Sequence, residues 1–160
     1  MLKKLFGFSS IVILLASCVK GTDNSCQYKE SSAVAPASEI ASVQAYVNAN
    51  HPAAVMHSSG VFYEILSPGT GTATAGVCNN VTVKYSGYLT NGTKFDENLT
   101  GVSFTLGGLI LGWQKGIPLI KAGGSINLYI PPSLGYGSNA VGSIPANSIL
   151  VFNIQLLAVQ

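Results

Sequence analysis

The side chains able to do chemistry in this sequence are polar-aromatic residues set beside turns. They are Tyr85, Phe95-Asp96, Leu109-Ile110 with Gly112-Trp113, Gly135-Tyr136-Gly137, Ile144-Pro145 and Phe152. The groups needed for covalent catalysis are missing around them. No Ser, Cys or His stands in a nucleophile motif such as Gly-x-Ser-x-Gly, and no His follows Gly60. His51 and His57 have no Cys, Asp or Glu at metal-ligand spacing, so both read as loop histidines. Gly107-Gly108 lacks the further glycines of a dinucleotide loop, and Gly123-Gly124-Ser125 lacks the Lys-Ser/Thr of a phosphate loop. Neither a metal nor a cofactor is expected. Covalent, metal and nucleotide chemistry all lack their parts in this sequence.

These polar-aromatic residues need elements to position them. Residues 38–50 are expected to form a helix, capped by Ser38, with Glu39 in its first turn and Ile40, Val43 and Val47 on one face. After Gly60 the pattern changes to strands and turns. Strands are expected at 61–66, 80–90, 102–106, 125–130 and 149–159. The second alternates Val81, Val83 and Tyr85 against Thr82, Lys84 and Ser86, which buries one face. Asn91-Gly92 marks a hairpin turn. A short helix is expected over 112–120, with Gly123-Gly124 beyond its end and Pro118 limiting its length. Strands, one short helix and more strands make an α+β class: an antiparallel sheet wrapped around a helix.

The N-terminus reads as an export signal. Lys3 and Lys4 precede an apolar run from Leu5 to Ala16, followed by Leu15-Ala16-Ser17-Cys18. The tetrapeptide resembles the bacterial lipobox, in which Cys18 is lipidated and residues 1–17 are removed. The alternative is an ordinary signal with an incidental Cys. Residues 18–37 then form a lipidated flexible tether, 38–59 a helix and linker, and 60–160 the folded domain. The expected location is the cell envelope, lipid-anchored in the periplasm or at the outer membrane of a Gram-negative-type bacterium. Export leaves Cys26 and Cys78 as an even pair in an oxidising compartment. A disulfide between them would close a loop of about 50 residues and contribute up to ~4 kcal/mol. Two unpaired thiols remain the other reading. The chain carries 8 Lys+Arg against 6 Asp+Glu, all the cations being Lys. Without Lys3 and Lys4 the charges balance, which leaves no basic patch for nucleic acid.

Ordered motifs carry a resemblance. The run Val83-Lys84-Tyr85-Ser86-Gly87-Tyr88-Leu89-Thr90-Asn91-Gly92-Thr93-Lys94-Phe95-Asp96 resembles the opening strand and turn of an FKBP-type peptidyl-prolyl cis/trans isomerase. Ile110-Leu111-Gly112-Trp113, Gly135-Tyr136-Gly137, Ile144-Pro145 and Leu150-Val151-Phe152 follow in the family's order. The resemblance implies a five-stranded antiparallel sheet curled around a short helix, with an apolar pocket between them. Trp113 would be the floor. Tyr85, Phe95, Ile110, Ile144 and Phe152 would be walls, with Leu109 beside them and Val102 where an aromatic wall residue is common. The Ile110 N–H and the Tyr136 hydroxyl would hold substrate carbonyls, and Asp96 would sit at the rim bonded to Tyr85. Tyr85, Asp96 and Tyr136 are thereby the expected catalytic residues.

The implied partners are proline-containing unfolded or exported polypeptides, and FKBP-directed macrolides, with the membrane reached through the lipid on Cys18. The implied activity is isomerisation of X-Pro bonds. The runner-up is an FKBP-shaped chaperone or binding lipoprotein with little turnover. Any one of these aromatics taken alone is more often core than site, and Asp96 alone is a plausible turn acceptor.

Overall fold

The structure is a computed structural model and describes residues 26–160. The signal peptide, Cys18 and the first part of the expected tether lie outside the described residues. Helix α1 spans Ala37–Asn50, followed by strands β1 (Val55–Met56), β2 (Phe62–Ser67), β3 (Asn80–Leu89) and β4 (Lys94–Thr105). Helix α2 (Leu111–Gly116) comes next and runs into a 3₁₀ turn, Ile117–Leu119, with β5 (Ser125–Ile130) and β6 (Leu150–Val159) after it. All pairings are antiparallel, in the order β1-β2-β5-β6-β3-β4. Among the described residues the sheet has six strands where five were expected, because Val55–Met56 adds a two-residue edge on β2 too short to leave a periodic signal.

Alternation along the strands divides the apolar residues between two faces. Ile126, Leu128, Ile130, Phe152, Ile154, Val81 and Val83 face α2. Phe62, Tyr129 and Val151 face α1, which lays Val43 and Val47 on them. The spacing that predicted α1 therefore reads correctly, but Ser38 does not cap it. Pro36 holds the N-cap position without a side-chain bond, and the Ser38 carbonyl accepts from Ser42 Oγ at 2.9 Å.

Helix α2 lies close on β5 because it offers no Cβ there. A Cβ at Gly112 would fall 2.5 Å from Ile130, and one at Gly116 would fall 2.4 Å from Leu128. These two glycines, one turn apart, let the helix backbone sit down on the sheet and hold Trp113 against it. The helix is shorter than 112–120, since the chain tightens to 3₁₀ around Pro118.

The tether expectation needs correction over its described part. Residues 26–36 form an extended strap lying on the domain. Ser31 and Ala33 are half-buried and Ala35 is buried, while Ser32, Val34 and Pro36 are exposed. The ties that hold the strap include a Cys26–Cys78 disulfide with Cα atoms 5.6 Å apart, the Ala35 N–H donating to Ser59 O at 2.9 Å, and Lys115 Nζ donating to Ser31 O.

Candidate active site

Between β3, β4, β6 and the N-terminal end of α2 lies a cavity of about 210 Å³. Tyr85, Asp96, Phe104, Leu109, Ile110, Trp113, Tyr136 and Phe152 line it. It is smaller than the ~300–1,000 Å³ of drug-sized pockets. Trp113 is 4% exposed and is met by three rings, each edge to face: Tyr85 at 5.1 Å, Phe152 at 5.2 Å and Phe104 at 6.4 Å. Such T-shaped pairs add to the area buried and fix ring orientation.

The polar groups are set at the rim by strand register. Gly87 is opposite Asp96 and Tyr85 is opposite Asn98, so Tyr85 and Asp96 are diagonal neighbours. The Tyr85 hydroxyl donates to Asp96 Oδ2 at 2.7 Å. Burial first, then the bond to Asp96 and its charge, push the Tyr85 hydroxyl up to about 12 from an ordinary 10.0. Burial and then the charge of Asp96 also raise Tyr136. Both hydroxyls therefore stay protonated at neutral pH and keep their hydrogen for donation.

Backbone groups come from the segment before α2. Ile110 is the N-cap of that helix. Its carbonyl accepts from Trp113 N–H at 3.0 Å and Gln114 N–H at 3.2 Å, while its own N–H lies outside the helical ladder.

Of the residues expected at the site, Tyr85, Asp96, Leu109, Ile110, Trp113, Tyr136 and Phe152 are brought together. Phe95, Val102 and Ile144 are not in the lining. Phe95 stands behind Phe152, edge to face at 5.5 Å, and both rings close over Gly87, where a Cβ would fall 2.6 Å from Phe95. Ile144 is 6% exposed and packs into the core, in a loop closed by the Val141–Ile144 bridge. Val102 pairs with Val83 and packs on the core, and the aromatic wall expected there is Phe104, one step along the same face. The shift comes from a bulge. Val83 is opposite Val102 but Tyr85 is opposite Asn98, so three residues, 99–101, face Lys84 alone and β4 carries two extra residues there. Asn98 Oδ1 knits that bulge by accepting the N–H groups of Thr100 at 3.2 Å and Gly101 at 2.8 Å.

Among the described residues no group of three or more His, Cys, Asp or Glu could hold a metal ion. The arrangement can grip an apolar ring on Trp113, hold polar atoms at Tyr136 and Ile110, and keep water off what lies between.

Residues 71–157 match the family of FKBP-type peptidyl-prolyl cis-trans isomerases. The chain is 47% identical over 106 residues to the FKBP-type peptidyl-prolyl cis-trans isomerase FkpA of Buchnera aphidicola subsp. Schizaphis graminum, covering 64% of this chain and 42% of that one. The chain thus spans less than half the length of the curated relatives it matches. In structure it is similar to crystalline FkpA from Escherichia coli, with a TM-score of 0.69 and 39% identity over 78% of this chain and 60% of that one. A peptidyl-prolyl cis-trans isomerase from Pseudomonas syringae pv. tomato gives a TM-score of 0.68 and 28% identity over 79% of this chain and 97% of that one.

Proposed function

This chain belongs to the FKBP-type peptidyl-prolyl cis-trans isomerase family, and on that premise we propose that its pocket isomerises X-Pro bonds of exported, partly unfolded polypeptides. The observation carrying the reading is the cavity itself: an indole floor and aromatic walls, with the Tyr85–Asp96 pair and Tyr136 only at its rim.

Rotation about a peptide bond faces about 18–20 kcal/mol, because resonance gives C–N partial double-bond character. No bond to carbon forms or breaks, so a nucleophile would be idle. In the twisted amide resonance is lost and the carbonyl is less polar. Water solvates the planar amide better than the twisted one, so moving it into a dry pocket favours the transition state. The rings of Trp113 and Phe152 would grip proline. Tyr136 Oη and the Ile110 N–H would hold carbonyls on either side, so that rotation is confined to one bond. Asp96, fixed by Tyr85, would set the polarity of the edge where the amide turns.

The test is catalysed exchange in X-Pro peptides, read by NMR at micromolar protein. Accelerated exchange that FKBP-directed macrolides inhibit supports the reading. Binding of the peptides without acceleration would instead favour a chaperone of the same shape.

The location follows from the export signal. Cys18 would carry the lipid, holding the domain at the periplasmic or outer membrane. Three acyl chains at about 0.8 kcal/mol per buried CH₂ anchor a protein in a way salt does not reverse. Wild-type protein should sediment with membranes through a high-salt wash, and Cys18→Ser should not. A cleaved wild type without acyl mass on Cys18 would end the lipoprotein claim alone.

A further inference from the structure

Gly107 and Gly108 stand between β4 and the pocket residues Leu109 and Ile110. Tyr28, from the strap, lies against them. A Cβ at Gly107 would fall 2.3 Å from Tyr28 Cγ, and one at Gly108 would fall 3.2 Å from Tyr28 Oη. Only a residue without a side chain lets the ring approach the backbone this closely. Tyr28 is 45% exposed, so one face of the ring covers the glycines and the other meets solvent.

The ring is held there from a short distance. Cys26, two residues earlier, is bonded to Cys78. Cys78 sits in the turn 76–79, in which Gly76 N–H donates to Asn79 Oδ1 at 2.8 Å. That turn holds the same segment from its other side. Val77 O accepts Gly107 N–H at 2.8 Å, and Asn79 O accepts Leu106 N–H at 3.0 Å. Gln114 Nε2 completes the clamp, donating to Gly107 O at 3.2 Å and to Leu109 O at 2.7 Å. Two consecutive glycines have more backbone freedom to lose than any other pair. Here they immediately precede the backbone atoms that would meet substrate.

We propose that Tyr28 is a positioning residue for substrate binding: pinned by the Cys26–Cys78 disulfide, its ring braces the 107–110 backbone and so places Leu109 and Ile110 in the pocket. The inference rests on reading that pocket as the isomerase site. The brace acts on the segment before substrate arrives, so it contributes alike to binding the planar and the twisted amide. Its loss raises KM and leaves kcat nearly unchanged.

The test uses the full chain with Tyr28→Ala, Tyr28→Phe, Gly107→Ala and the Tyr28→Ala/Gly107→Ala double variant. The readouts are KM and kcat on an X-Pro peptide, and NMR hydrogen exchange at the Leu109 and Ile110 amides. Tyr28→Ala should raise KM about threefold to tenfold and speed exchange at both amides. Tyr28→Phe keeps the ring and should keep wild-type KM. Gly107→Ala should displace the ring and reproduce Tyr28→Ala, yet add little in the double variant. Cys26→Ser should move the same two amides in the same direction. Full additivity of the two substitutions, or unchanged exchange at Leu109 and Ile110 in Tyr28→Ala, would overturn the brace. A wild type that binds peptide without turning it over would sink the isomerase reading instead. In that case peptide affinity and amide exchange still decide the brace.

Discussion

Each face of the sheet carries a cluster of aromatic rings. Where α2 meets the sheet, its Trp113 is ringed by Tyr85, Phe104 and Phe152; where α1 meets the opposite face, Tyr46 of the helix and His51 at its end meet Tyr129, with Phe62 alongside. Both contain a tyrosine whose hydroxyl burial pushes up to about 12. The difference lies in what covers them. Helix α1 spans 14 residues and sets two branched valines onto the rings, leaving Tyr129 with 0% exposure. Helix α2 spans 6 residues and turns glycines to the sheet, so its one indole is ringed by edges and a cavity stays open above it. A concentration of rings makes a core or a site according to whether the covering element fills the space or frames it.

The strongest way to break this comparison is Trp113→Ala. Trp113 is nearly fully buried, so truncation should cost about 3–5 kcal/mol and lower the melting temperature sharply. Turnover should fall well beyond any loss of folded protein, because the floor of the cavity goes with the indole. Trp113→Phe, which keeps a ring and most of the fold, should recover stability before it recovers turnover. If the two recover together, the indole is core and not floor.

A smaller effect is expected at the rim. Tyr136→Phe removes one hydroxyl from a residue that is 37% exposed. The fold should be unaffected, and kcat/KM should drop about fivefold, the worth of one neutral hydrogen bond near 1 kcal/mol. A melting temperature that falls with Tyr136→Phe would show the hydroxyl serving structure instead.

How much of this was readable from sequence depends on the range of the contact that decides each feature. The Tyr85–Asp96 pair was legible through the resemblance of the 83–96 run to the family, and the physical reason it forms is the tight Asn91-Gly92 turn, with Gly92 at φ +84°, that sets the hairpin between them. The α1 face was legible because Val43 and Val47 repeat one helical turn apart. Phe104 was missed in favour of Val102 because the 99–101 bulge resets which residue of β4 comes level with the cavity. A Phe two residues along an alternating strand was the available signal. Phe95 and Ile144 were apolar in the right motifs, but which side of Phe152 a ring occupies is a packing outcome. The strap was read as tether because Ala33 and Ala35 bury little area each. Its position is set by Cys78, 52 residues away.

The mildest substitution separates the two clusters by their hydroxyls. Tyr85 Oη donates to Asp96, whereas Tyr129 Oη has no hydrogen-bond partner. Asn127 is near enough to favour the ionised hydroxyl, but no bond of good geometry joins the two, while its amide donates to Glu64 at 3.3 Å and its carbonyl accepts from Asn153 at 2.6 Å. A buried hydroxyl without a partner costs desolvation and returns nothing, so Tyr129→Phe should be neutral or stabilising by up to about 1 kcal/mol at neutral pH. Alkali sharpens the contrast. Burial, and then the Glu64 charge, raise Tyr129 from 10.0 to about 12 in the folded protein. The unfolded chain therefore loses that proton first. The stability tied to the protonated hydroxyl is complete below pH 10 and is lost as pH climbs through 12. Tyr85 has a shift of the same sign, so Tyr129→Phe should flatten the alkaline decline without abolishing it. Melting temperatures of wild type and variant, at neutral pH and across pH 10 to 12, give the comparison. A Tyr129→Phe variant less stable than wild type at neutral pH would mean that the hydroxyl has a partner, and the α1 cluster would then be polar as well as packed.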